Sequence, residues 1–79
     1  MNEAEFKHEM SKAESFQELA ENSEYWKGYA RGLRRNYHGE NFGTEEEHQQ
    51  WLNLVNDPTR KEMGDGYRAG LYCRRQRRT

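Results

Sequence analysis

Isoleucine is absent from the 79-residue chain, and valine and proline occur once each. Only two threonines precede the terminal one, so the β-branched residues that pack a pleated sheet are too few to build one. The single proline, in Asp57-Pro58, leaves the rest of the chain free of that helix breaker. Cysteine is also single. Cys73 alone excludes an internal disulfide and a cysteine-only metal site, which fits a reducing compartment. No apolar run approaches the ~20 residues of a membrane-spanning helix. The beginning, "MNEAEFKHEM", is acidic and unlike a secretion or transit signal. The expected location is the cytoplasm.

What is present favours helix: Ala, Leu, Glu, Lys, Arg, Gln and Met are plentiful. Core material is thin, with five Leu, one Val and three Phe, which is little for a globular domain. A net charge of −1 is nevertheless too small for the usual disordered chain. Two Trp and five Tyr supply the missing area, since each aromatic buries roughly 150–250 Å². The expectation is a single all-α domain over residues 1–79, a bundle of three to four helices with an aromatic core. Residues 74–79 form a candidate disordered basic tail. At this size one core gives marginal stability, and a partner or self-association adds to it.

Four segments carry helical signals. In residues 3–21, Phe6, Met10, Ala13, Phe16, Leu19 and Ala20 make one apolar stripe. Ser11-x-x-Glu14 and Ser15-x-x-Glu18 resemble capping boxes, so the segment reads as one helix or two short ones. Ser23 is a candidate N-cap for a second helix over 24–38, which Gly39 ends. Residues 39–43, "GENFG", make a loop anchored by Phe42. Thr44 with Glu47 forms a capping box for a third helix with His48, Trp51, Leu52 and Val55 on its stripe. Asp57 is then expected to cap, and Pro58 to open, a fourth helix in which Met63, Tyr67, Gly70, Leu71 and Arg74 share a face. "GDG" at 64–66 is a candidate interruption, with Asp65 as a second cap.

The hexapeptide "GYARGL" at 28–33 returns as "GYRAGL" at 66–71. Gly28 and Gly32 are four apart, as are Gly66 and Gly70, so each pair leaves a bare strip on one helix face. A glycine inside a helix costs about 1 kcal/mol relative to alanine, so four must be offset. Close backbone approach offsets them if helices two and four cross strip to strip, with Tyr29, Tyr67, Leu33 and Leu71 along the seam. The functional alternative is a strip that admits a partner's backbone.

Charge is segregated. Residues 1–24 carry a net −5, 25–38 a net +4, 39–57 a net −5 and 58–79 a net +5. One reading is internal complementarity, with acidic helices one and three beside basic helices two and four. The other is an acidic face and a basic face, one of which binds a partner. No catalytic constellation is present. His8, His38 and His48 are scattered and lack zinc-site spacing, and no glycine-rich loop follows a strand. No enzyme activity, metal or cofactor is expected. Nucleic-acid binding remains an alternative. Arg31, Arg34 and Arg35 interleave with aromatics, and Arg74, Arg75, Arg77 and Arg78 form a second cluster. The pI near 6.3 argues against it.

Residues 25–71 follow the pattern Gly-Tyr-x-x-Gly-Leu, Tyr-His-Gly, Phe-Gly-Thr, Glu-His-x-x-Trp and a second Gly-Tyr-x-x-Gly-Leu. This resembles small proteins of bacterial mobile elements and prophages. Chains of this size and character are similar to anti-CRISPR proteins, which bind a surveillance complex and block target-DNA recognition. The resemblance implies a non-catalytic inhibitor in the cytoplasm of a bacterial host. Its carboxylates would dock, spaced like phosphates, on the basic DNA channel of a type I surveillance complex. The candidates are Glu40, Glu45, Glu46 and Glu47, the densest acidic run, then Glu14, Glu18 and Glu21 at helical spacing. Capping is the competing role for Glu47. Trp51 is assigned to the core. A self-associating structural module is a third reading.

Overall fold

In the computed structural model, residues 2–19 and 21–73 are described. They form helix α1 (Glu3–Leu19), α2 (Ser23–His38), a 3-10 turn at Gly39–Asn41, α3 (Glu45–Leu52), a second 3-10 turn at Asn53–Asn56, and α4 (Lys61–Leu71). No strand occurs among the described residues. The all-α expectation holds. The predicted tail and its arginines lie outside the described residues.

α1 is one helix. Asn2 and Glu5 start it with reciprocal bonds: the Glu5 N–H donates to Asn2 Oδ1 (2.8 Å), and the Asn2 N–H donates to Glu5 Oε1 (3.0 Å). Ser11 and Ser15 lie inside it and cap nothing, because the apolar stripe runs through them unbroken against α2. Phe6 stacks on Tyr37 at 4.4 Å, Phe16 stacks on Trp26 at 4.7 Å, and Met10 and Ala13 are buried between. Leu19 falls outside that stripe and is 82% exposed. Glu9 takes a place the stripe's spacing implies, between Phe6 and Ala13, and is fully buried.

Two expected caps are corrected. Ser23 is already helical, and Asn22 holds the cap position of α2 without a side-chain bond. Asp57-Pro58 opens a turn instead of α4. Asp57 Oδ1 accepts from the Thr59 N–H (3.0 Å) and hydroxyl (2.8 Å), and α4 starts later, at Lys61. An aspartate that accepts from a nearby N–H makes the same local bond in an Asx turn as in an N-cap. "GDG" does not interrupt α4, and Asp65 pairs with Lys61 within it at 2.9 Å. Thr44 and Glu47 do form the expected capping box on α3. Gly39 ends α2 with φ +62°, its N–H bonded to Arg35 O. Val55 lies in the second 3-10 turn, beyond the end of α3.

The repeat sits where α2 crosses α4. A Cβ on Gly28 would overlap the Met63 carbonyl, and on Gly32 the Tyr67 carbonyl. On Gly66 it would overlap the Tyr25 carbonyl, and on Gly70 the Tyr29 carbonyl. Each glycine therefore faces the carbonyl three residues before its counterpart, an arrangement close to twofold symmetric. Contacts advance in the same direction along both helices, so the crossing is parallel in sense. Such backbone approach permits Cα–H···O=C contacts, about 0.5–1 kcal/mol each. These, with tight packing, offset the glycine propensity. Leu33 is wholly buried and Tyr67 is 2% exposed beside the seam. Asn36 reaches across from α2 and donates to the carbonyls of Gly70 (3.3 Å) and Cys73 (2.9 Å), closing the end of α4. Gly64 in α4 likewise leaves room for the backbone of Leu54 and Val55.

Candidate functional site

Charge on the flanks of α2 is the chemistry to place. Among the described residues no group of three or more His, Cys, Asp or Glu side chains is arranged to hold a metal ion. No helix among them is long and apolar enough to cross a membrane.

The two competing sets of sequence candidates interlock. Arg35 of α2 is only 9% exposed and donates to the Phe42 carbonyl (3.1 Å) and to Glu45 Oε1 (3.2 Å). Arg31 lies 3.9 Å from Glu47 and is sandwiched between the Phe42 and Trp51 rings, at 5.1 and 4.8 Å. The α3 capping box places both carboxylates: Glu47 bonds back to the Thr44 N–H while Thr44 fixes the first turn. Glu45 also accepts from Gln49 at 2.9 Å. That bond, with help from His48 and Arg35, holds the Glu45 carboxyl below the usual carboxylate range. In both cross-element pairs the carboxylate is the outer partner. Glu45 is 67% exposed against 9% for Arg35, and Glu47 is 51% exposed against 29% for Arg31.

Glu40 and Glu46 are exposed and make no ion pair among the described residues, and the same holds for Glu14, Glu18 and Glu21. Among the described residues no bond joins Glu14 or Glu18 of α1 to the acids of α3. Arg34 is exposed and without an ion pair among the described residues, so the three candidate arginines of α2 have three different environments. Trp51 is partly buried, its ring 5.4 Å from Tyr67.

A groove runs beside α2, about 430 Å³ in volume, lined by Lys27, Arg31, Arg34, Glu14, Gln17 and Trp51, with Ala30 at its floor. On the other side of Trp51 lies a hollow of about 320 Å³ lined by Gln50, Leu54, Arg60 and Met63. The sequence candidates did not include Lys27, although Lys27, Arg31 and Arg34 follow i, i+4, i+7 spacing, the signature of one helical side. Nor did they include Glu14 as a neighbour of those bases.

Two buried polar pairs also went unforeseen. The Tyr29 hydroxyl donates to Glu9 Oε1 at 2.9 Å, and Lys12 Nζ lies 2.8 Å from the same oxygen. Burial first, then the bonds to Glu9 and Cys73, pushes the Tyr29 hydroxyl far above its ordinary pKa. The Tyr67 hydroxyl lies 2.6 Å from His48 Nδ1, and burial raises its pKa too, against the pull of Arg35 and Arg31. Each pair ties a covering helix to the crossing, through Glu9 of α1 and through His48 of α3.

Searches of family models, curated proteins and solved structures find no match to this chain.

Proposed function

We propose that the protein is a non-catalytic inhibitor of the anti-CRISPR type, acting in the cytoplasm of a bacterial host. It presents carboxylates to the basic DNA channel of a type I surveillance complex. The observation that supports this most is the sorting of the cross-element ion pairs. Glu45 and Glu47 stand outside while Arg35 and Arg31 are drawn inward, and Glu40 and Glu46 add exposed carboxylates to the same segment. The surface around the start of α3 is therefore acidic although the chain is nearly neutral. Glu14 and Glu18 give a second acidic pair along α1, while Glu21, expected on the same helix, lies in the turn beyond its end at Leu19. Carboxylates held in this way compete with phosphates for Lys and Arg side chains and exclude duplex sterically.

The test is capture of purified type I complexes by the immobilised protein, with a target duplex as competitor. Capture that the duplex displaces is expected. Glu40→Lys with Glu46→Lys should reduce capture at least tenfold without changing the melting temperature, since neither residue holds an internal pair. Failure to capture any such complex, or capture indifferent to the charge reversal, overturns the reading.

A further inference from the structure

The groove beside α2 has a chemistry opposite to that of the acidic surface. Three cations, Lys27, Arg31 and Arg34, line it with one carboxylate, Glu14, and Arg31 also lies 3.9 Å from the half-exposed Glu47 at its edge. Lys27 is held only by Glu24 at 3.5 Å across an exposed face, and Arg34 has no ion pair among the described residues. The volume is in the range of small-ligand sites, about 300–1,000 Å³. Trp51 is the wall shared with the second hollow. Arg31 lies over its ring at 4.8 Å, and Leu54, Met63 and Arg60 line the space beyond. A row of cations beside an aromatic wall, with a hollow of mixed polar and apolar lining behind it, is a layout that grips a backbone of phosphates and stacks an unpaired base.

We propose that this groove binds a short single-stranded nucleic-acid segment. Phosphates lie along Lys27, Arg31 and Arg34, and one base enters the hollow against Trp51, Leu54 and Met63. Arg60 meets the next phosphate. A duplex does not fit this arrangement, because its bases are paired and cannot reach the indole. Arg35, buried against Glu45, takes no part. Phosphate contact and stacking are common to both strand types, so DNA and RNA strands are expected to bind alike. This inference stands on the groove alone and does not require the acidic surface to function.

The test uses the full chain with short fluorescent oligo(dT) and oligo(U), followed by anisotropy from low to moderate salt. Both are expected to bind. The slope of log affinity against log salt should be about −3, the value for four neutralised phosphates on a single strand. Arg34→Glu, an exposed substitution that leaves the fold intact, should weaken binding about tenfold, and Trp51→Phe should weaken it by a smaller factor. Glu40→Lys with Glu46→Lys should not weaken it. That separates failure of this site from failure of the acidic one. Absence of binding at low salt overturns the proposal. So does binding unaffected by both groove substitutions, which would place it elsewhere on the chain. Equal affinity for an acidic peptide, or higher affinity for duplex of the same length, also overturns it.

Discussion

Tyr29 and Tyr67 occupy matched places in the two halves of the molecule, and different chemistry holds each. Tyr29 lies under α1, its hydroxyl on the fully buried Glu9 carboxylate. Tyr67 lies under α3, its hydroxyl on the partly buried ring of His48. The covering helices differ in kind too. α1 is long and lays down stacked aromatics, whereas α3 is a single capped segment of eight residues whose acids reach across to α2. Between them the crossing of α2 and α4 is nearly symmetric and made of backbone. The lesson is that glycine seams leave no freedom at the centre, while each outer layer can be rewritten independently. Glu14 and Glu18 of α1 and Glu45, Glu46 and Glu47 of α3 lie in those outer layers, whereas the basic candidates Lys27, Arg31 and Arg34 lie on α2 itself.

The comparison breaks first at the seam. Alanine raises helix propensity by about 1 kcal/mol over glycine. A crossing that cannot accept Cβ predicts the opposite sign. Gly32→Ala and Gly66→Ala should each destabilise by at least ~3 kcal/mol, as overpacking against unyielding backbone does. Urea denaturation checks this. An increase in stability at either position would show that the helices do not meet there.

Next come the tyrosines. Tyr29→Phe removes a buried bond to a charged acceptor and should destabilise by about 2 kcal/mol. Tyr67→Phe loses a partly buried bond to the His48 ring and should lose about 1 kcal/mol. Equal losses would erase the contrast between the halves. Both hydroxyls have raised pKa values in the folded state. Unfolded tyrosines ionise near pH 10, so above that pH the unfolded state binds fewer protons and gains. The stability the two tyrosines contribute is intact below pH ~10 and is lost progressively above it. Thermal melts across alkaline pH should show the fall, and it should be shallower in Tyr29→Phe.

Smaller effects test the α3 layer. Thr44→Ala should lower stability by about 1 kcal/mol through loss of the cap. Because that cap also places Glu45 and Glu47, the same substitution should weaken any capture that depends on them. Last is Lys7→Ala. It breaks only the exposed pair with Glu3 and should change stability by at most about 0.5 kcal/mol. A larger loss would mean that the outer face of α1 carries more than solvent.

The repeat was legible in the sequence because four glycines at fixed spacing have few uses inside helices. The Thr44–Glu47 box was legible for a similar reason: both halves of the motif lie within one turn. Ser11, Ser15 and Ser23 were not, because serine signals a cap only where the chain already breaks. Which of the charge readings applies could not be seen either. The pairing of Arg35 with Glu45 depends on how the turn at Gly39–Asn41 folds α3 back on α2, and no spacing within either helix encodes that. Glu9 could have been found, since an acid on an otherwise apolar stripe demands a buried partner. The groove was hidden because its walls come from three helices: Glu14 and Gln17 from α1, Lys27, Ala30, Arg31 and Arg34 from α2, and Trp51 from α3.

The parallel sense of the crossing has a kinetic consequence. Two helices that run the same way cannot be joined by a tight turn, so the chain must travel back before the second "GY" motif can meet the first. The motifs are 38 positions apart, and closing a loop of that length costs about 3 kcal/mol in chain entropy. The local helix pairs contribute little of that, so the search for the seam should set the folding rate. A flexible insert that lengthens this connection without disturbing α3 should slow folding and leave unfolding nearly unchanged.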